Sequence, residues 1–199
     1  MYSKEALRED MRRRVRAVGA GEFRLQGAKA AAILAAAPVW SYYQTIFLFL
    51  STDREADTLP LLEIALEQGK KVFAPLADFG SPAFCRIFSP DGPWQKGAFG
   101  IPQPAASAGY LLPQAEDFPA LIIAPGLAFD CEGRRLGRGA GFYDRYFAKL
   151  DEERKEYLAL GFCMDFQIAA GVPADGRDKK VGGILSAAGL IFCPQAKLA

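Results

Sequence analysis

The chain has 199 residues, enough for one substantial core, and a single domain over residues 1–199 is expected. Half of the residues are hydrophobic (51%), 24% are charged and the formal net charge is +1, so no global field favours nucleic acid or a membrane surface. There is no histidine, which removes the commonest general base near neutral pH; with four scattered cysteines and no C-x-x-C pair, this also argues against a structural zinc site.

Ser3 is the expected N-cap of a helix through Leu7, Met11 and Val15. Lys4 and Arg8 are four apart and share a face that can meet one anion; the alternative is that they are solvated charges on a surface helix, with Arg12, Arg13, Arg14 and Arg16 behind them. An alanine-rich helix is predicted from about Leu25 to Ala37, ended by Pro38. Thr45 to Ser51 is a buried-strand pattern, and Thr58 caps a helix that Pro60 opens and Gly69 closes. Loops after strand ends carry sites in open α/β sheets, which makes Glu55 either a site residue or an ordinary surface carboxylate. Strands follow at Val72 to Pro75 and Phe84 to Phe88. Pro90 to Pro119 is rich in Pro, Gly, Ala and Ser and reads as a lid or binding loop. The opening residues lack a secretory pattern, and the longest apolar run, around Ile46 to Leu50, is too short to span a bilayer. A cytoplasmic chain with reduced thiols is therefore expected.

The most informative stretch is Pro125 to Arg145, PGLAFDCEGRRLGRGAGFYDR. An apolar strand, Leu121 to Ala124, runs into it, and an amphipathic helix over Phe142 to Lys155 runs out of it. Gly133, Gly137, Gly139 and Gly141 thus sit between a strand end and a helix start, where backbone N–H groups and the helix dipole attract anions. Arg134, Arg135, Arg138 and Arg145 add guanidinium groups able to fork onto phosphate. Neither the Gly-Lys-Ser/Thr ending nor the dinucleotide glycine spacing is present. Further strands are predicted at Tyr157 to Phe162 and Gly189 to Cys193. The alternation of strands and helices predicts a parallel or mixed sheet with helices on both faces.

In this order the motifs resemble the 5-formyltetrahydrofolate cyclo-ligase family over nearly the full length. The resemblance is carried by Lys4-x-x-Leu7-Arg8, Phe49-Leu50-Ser51 with Glu55-Ala56-Asp57-Thr58, and Gly100-Ile101-Pro102-Gln103-Pro104. Its central part is Pro125 to Asp130 and Gly133 to Arg145, followed by Gln167, Pro173, Asp178 and Val181. The resemblance implies a three-layer α/β/α Rossmann-like fold with a mainly parallel sheet, of the sugar-phosphate isomerase and CoA-transferase type. It also implies an ATP- and Mg²⁺-dependent closure of 5-formyltetrahydrofolate to 5,10-methenyltetrahydrofolate through a phosphorylated formyl group. A reduced folate would be the partner of a monomer or weak homo-oligomer, with neither nucleic acid nor membrane involved.

Carried over by position, Lys4 and Arg8 resemble phosphate contacts. Arg135, Gly137, Arg138, Gly139, Gly141, Phe142 and Tyr143, with Arg145, resemble the loop around the triphosphate. Arg138 and Tyr143 are implied at the chemistry itself, and Asp144 and Asp178 as the magnesium carboxylates. Glu55 is implied at the polar edge of the folate ring, with Leu50, Gln103, Phe129 and Tyr143 as further substrate contacts. The chain departs from the family pattern at Gln103 (usually Glu), Ala140 (often Lys or Gly), Phe142 (Tyr) and Arg177 (often His). Gln103 and Ala140 motivate an alternative, a non-catalytic nucleotide- or folate-binding relative with a regulatory role. Without the family, a sugar-phosphate isomerase would be the competing reading, separated by a requirement for ATP.

Overall fold

The computed structural model describes residues 3–76, 81–97, 102–105 and 109–194. Its centre is a seven-stranded sheet built from the apolar runs: β1 (Thr45–Leu48), β2 (Lys71–Leu76), β3 (Ala83–Ile87), β6 (Ala120–Ala124), β9 (Tyr157–Phe162), β10 (Gly183–Ser186) and β11 (Gly189–Phe192). Two short pairs lie outside it, β4 (Trp94–Lys96) with β5 (Pro102–Pro104) and β7 (Ala128–Phe129) with β8 (Arg135–Leu136). The helices are α1 (Lys4–Ala17), α2 (Ala20–Ala36), α3 (Pro38–Tyr42), α4 (Leu59–Glu67) and α5 (Phe142–Glu152).

The sheet runs β11-β10-β9-β6-β1-β2-β3; β10, β9, β6, β1 and β2 are parallel, and β11 and β3 are antiparallel edges. Every residue of β1 and β6 is buried, as expected of parallel strands covered on both faces. The connections β1–α4–β2 and β6–α5–β9 leave neighbouring strands in opposite directions along the sheet. With right-handed crossovers, that places α4 and α5 on opposite faces and makes three layers. Tyr146 of α5 accordingly packs on Phe47 and Phe84, whereas α2 packs against α4 and over β10 and β11.

Outside these layers, α1 starts as expected, with Ser3 Oγ accepting from Ala6 N at 3.1 Å. Leu7 and Met11 bury against Leu127, Ala128, Leu136 and Val172, so α1 is clamped to the β7–β8 hairpin by a small core of its own.

Four sequence expectations are corrected. The helix expected from Leu25 begins at Ala20, because Gly21 and Gly27 do not interrupt it. Gly27 has a packing reason: a Cβ there would lie 2.4 Å from the Asp57 carbonyl oxygen, so only glycine lets α2 approach the loop after β1. The central helix stops at Glu152, three residues before Lys155. β10 was not anticipated; its four residues are too short for a periodic signal. The final strand, expected over Gly189 to Cys193, spans Gly189–Phe192. Of the Pro90 to Pro119 stretch, the described residues form the β4–β5 pair and a 3-10 turn at Ala115–Asp117; Gly100 and Ile101 lie outside the described residues.

Candidate active site

Where adjacent parallel strands are left in opposite directions, the loops diverge beyond their carboxyl ends and a crevice opens. Between β1 and β6 that crevice is a cleft of about 560 Å³. Arg54 and Glu55 line it from the loop after β1, Gly126 and Leu127 from the end of β6, and Gln167 from beyond β9. Arg12, Val15 and Arg16 of α1, with Arg138 and Ala140 of the glycine-rich loop, complete the lining.

The floor is rigidly built. The connection expected as one loop first forms the β7–β8 hairpin, and buried Asp130 ties it down. The Asp130 carboxylate accepts from Glu132 N and Arg134 N (both 3.1 Å), Arg134 Nε (2.7 Å) and Val172 N (2.7 Å). Gln167 Nε2 donates to the Gly126 and Leu127 carbonyls at 3.0 and 3.1 Å, fixing the end of β6. Phe129 is fully buried in space left by two glycines: a Cβ on Gly161 would meet its ring at 2.3 Å, and one on Gly126 at 2.6 Å. In this conformation Phe129 offers a ligand no surface, and Leu50 is likewise buried.

Hairpin formation turns Arg135 inward. Its Nη2 donates to Asp144 Oδ1 at 2.8 Å and its Nη1 to the Pro125 carbonyl at 3.3 Å. The guanidinium also faces the Tyr143 ring, 5.7 Å from its centroid. Arg135 Nε and the Tyr143 hydroxyl are buried without a hydrogen-bond partner among the described residues. Burial pushes the Tyr143 phenol far up, against the opposing pull of Arg135, and keeps it protonated. Asp144 Oδ1 also accepts from Lys179 N at 3.2 Å, which brings the segment carrying Asp178 to the first turn of α5.

Above the floor, Gly139 (φ 116°) and Gly141 (φ 65°) turn the loop through backbone space that favours glycine, and a Cβ on Gly139 would meet nothing within 4 Å. Gly141 is the N-cap of α5 and supplies no side-chain acceptor to the first N–H groups of the helix. Arg145 Nη1 donates to the Ala140 carbonyl (2.6 Å) and Arg8 Nε to the Gly137 carbonyl (3.1 Å), so both brace this loop. Phe142 stands against Phe84 and Tyr143.

At the mouth, Arg138 Nη2 donates to Glu55 Oε1 at 2.7 Å, joining residues 83 apart in sequence. Glu55 Oε2 accepts from Thr52 N and Thr52 Oγ1, both at 2.9 Å. Lys4 Nζ bridges Asp175 Oδ2 (2.8 Å) and Asp178 Oδ2 (2.5 Å). Burial pulls the Lys4 ammonium down, but its two carboxylate partners outweigh this and raise it overall.

The fold therefore gathers Glu55 with Arg138, Arg135 with Asp144, and Lys4 with Asp178. Gln103 does not line the cleft; it is buried in β5 opposite Gln95. Sequence reasoning set aside Arg12 and Arg16, gave Arg54 no role and passed over Asp175. The signal for the first two is the four-residue step Lys4, Arg8, Arg12, Arg16 along one helix.

The family model of the 5-formyltetrahydrofolate cyclo-ligases matches residues 1–187. The chain belongs to this family. It is 32% identical over 198 residues to the mouse 5-formyltetrahydrofolate cyclo-ligase, covering 92% of this chain and 93% of that one. To the cyclo-ligase of Escherichia coli K12 it is 29% identical over 171 residues, 84% and 91% of the two chains. The solved structure of the Aquifex aeolicus 5,10-methenyltetrahydrofolate synthetase superposes with a TM-score of 0.79 at 26% identity, covering 98% of this chain and 95% of the other. The mixed α/β fold with a large, mostly parallel sheet is that of the methenyltetrahydrofolate synthetases. Among the described residues no helix is long and apolar enough to cross a membrane.

Proposed function

We propose that the cleft closes the ring of 5-formyltetrahydrofolate at the expense of ATP, giving 5,10-methenyltetrahydrofolate. The γ-phosphoryl group passes from ATP to the formyl oxygen. The neighbouring folate nitrogen then attacks that carbon and gives up its N–H proton, and the carbon's bond to the phosphorylated oxygen breaks, so that phosphate leaves and takes up that proton. The nucleophiles belong to the substrates, so a chain without histidine needs only to position them and neutralise charge.

The observation that carries this reading is the Glu55–Arg138 pair across the cleft, joining the loop after β1 to the glycine-rich loop before α5. Glu55 suits the N–H groups at a pteridine edge, and Arg138 an oxygen that gains charge as phosphoryl transfers. Lys4, Arg8 and the N–H groups from Gly139 to Tyr143 surround the phosphates. Arg135 acts from below: it fixes one oxygen of Asp144 and packs against the buried, protonated Tyr143 ring, so it holds the floor under the cleft.

Among the described residues no set of three His, Cys, Asp or Glu side chains is placed to hold a metal. Mg²⁺ commonly takes only one or two carboxylates and completes its octahedron with water and phosphate oxygens. Asp144 and Asp178 are hard oxygen donors of that kind, and the Lys179 N–H that meets Asp144 Oδ1 belongs to the residue after Asp178. Bound there, Mg²⁺ would supply charge neutralisation of the phosphates.

The test follows the methenyl absorbance with purified protein, 5-formyltetrahydrofolate and Mg²⁺, with and without ATP. The expected result is a rise only with ATP, with one phosphate released per methenyl group. A flat trace from folded protein that still binds ATP and folate would replace this reading with a binding role.

A further inference from the structure

The candidate active site lies beyond the carboxyl ends of the parallel strands. At their amino ends, where β2 begins, β3 finishes and the chain approaches β6, there is a second cavity of about 550 Å³. Phe73 of β2 and Arg86 of the edge strand β3 are partners in register, so they share a face of the sheet with Phe84, two residues earlier. Phe84 fills the core against Phe47 and Tyr146. Two residues on, the same alternation puts a cation at the cavity instead of another ring.

The Arg86 guanidinium lies 5.6 Å from the centroid of the Phe73 ring and 5.4 Å from that of Phe88. Such stacking serves the face of a guanidinium and leaves the N–H groups in its plane in need of acceptors. Arg86 Nε is buried without a hydrogen-bond partner, and the side chain forms no ion pair among the described residues. Asp117 is nearby, but both of its oxygens are engaged: Oδ1 accepts from Lys71 Nζ at 2.6 Å and Oδ2 from Gln114 N at 2.8 Å. Burial pulls the Arg86 guanidinium down from its ordinary value, against the opposing pull of Asp117. Around this half-buried cation the apolar side chains stand in water. Phe88 is 70% exposed, and Leu111, held beside β3 by Arg86 N donating to its carbonyl at 2.8 Å, is also exposed. From rim to interior the cavity therefore offers apolar surface first and an unanswered cation behind it.

We propose that this cavity binds an aromatic monocarboxylate, with the carboxylate on the Arg86 guanidinium and the ring against Phe88 and Leu111. A carboxylate is planar and matches the guanidinium fork. Lys71 is already neutralised by Asp117, and Glu116 lines the same cavity, so Arg86 alone is available to an anion and a dianion would meet repulsion. A flat ring suits the exposed ring of Phe88 better than an alkyl chain does, because stacking adds to burial.

The experiment titrates 2-naphthoate into the protein by calorimetry, with 2-naphthamide and 2-naphthyl phosphate as neutral and dianionic probes. It is repeated with saturating 5-formyltetrahydrofolate and on the Arg86→Gln and Phe88→Ala variants. The expected dissociation constant for 2-naphthoate is on the order of 0.1 mM, with the amide and the phosphate at least about ten-fold weaker. Arg86→Gln should weaken 2-naphthoate by about ten-fold or more, and Phe88→Ala by roughly three-fold. Phe88 is exposed, so its variant still decides the matter if Arg86→Gln fails to fold. The folate should leave 2-naphthoate binding unchanged; displacement by it would place the probe in the catalytic cleft and overturn the site. Absence of binding up to about 2 mM, equal affinity for the amide, or affinity that survives both substitutions would overturn it as well. Sedimentation of wild type and Phe88→Ala checks the remaining occupant: a dimer that the substitution dissolves would assign these apolar side chains to a second copy of the chain and remove the ligand site.

Discussion

Arg135 and Arg138 stand three residues apart in one glycine-rich segment, yet they serve two different regions. Arg135 belongs to the floor: its side chain is 4% exposed, and its partner Asp144 sits at the start of α5. Arg138 belongs to the mouth: its side chain is 52% exposed, and its partner Glu55 arrives from another loop. A buried pair is costly to break because the surviving charge stays out of water, whereas an exposed pair adds little stability and is easily exchanged for a ligand. Floor and mouth carry similar residues with opposite purposes, and depth decides which is which.

The largest expected effect comes from breaking the floor. Arg135→Met should destabilise the fold by about 3 kcal/mol, the low end for a buried pair because Asp144 keeps some contact with water. Chemical denaturation measures it, and a loss below about 1 kcal/mol would move Arg135 to the exposed class. At the mouth the pattern should invert. Arg138→Ala is expected to slow turnover on the order of a hundred-fold while changing stability by no more than about 1 kcal/mol. Single-turnover kinetics beside a melt separates the two; a higher KM with unchanged kcat would make Arg138 a ground-state binder.

A subtler intervention on the floor is Gly161→Ala, whose new methyl would stand 2.3 Å from the Phe129 ring. Overpacking there should cost about 1–3 kcal/mol without altering the charges of the site. An unchanged melting temperature would show that the floor is softer than described.

The smallest effect concerns pH at the Lys4–Asp175 contact. The Lys4 hydrogen bond and the Arg177 N–H hold Asp175 below the usual carboxylate range, so its contribution is present above the ordinary value and lost as pH falls through the depressed one. Lys4 is raised, so its contribution is complete below its ordinary value and is lost only as pH rises through the higher one. Amide exchange in residues 173–179, corrected for its intrinsic pH dependence, should therefore be steady near neutrality and quicken below the ordinary carboxylate value. Loosening between pH 6 and 8 would contradict these directions.

Much of this organisation was legible in the chain itself. Buried strands announce themselves as apolar runs stopped by Pro and Gly, as at β6, and the aromatic stripe of α5 repeats at helical spacing. Local patterns also placed the glycine-rich loop between strand and helix. Depth was not legible, because it is set by tertiary folding. Nothing near Arg135 in sequence says that a two-residue strand will turn it under Pro125, so it read as one more phosphate fork. β10 escaped because four residues carry no period, and its turn to β11, Ala187-Ala188, lacks the Asn-Gly or Gly-Gly signature of a two-residue hairpin loop. Arg12 and Arg16 looked like surplus surface charge until α1 was seen to dock on the β7–β8 hairpin and turn them to the cleft.

The division into floor and mouth is tested most directly by amide hydrogen exchange, comparing the protein alone with the protein holding ATP, Mg²⁺ and 5-formyltetrahydrofolate. The account predicts new protection at residues 52–55 and 137–141, which meet the ligands, while residues 128–136 are already slow and change little. Protection that appears elsewhere and leaves 52–55 and 137–141 untouched would contradict the placement of the site in this cleft.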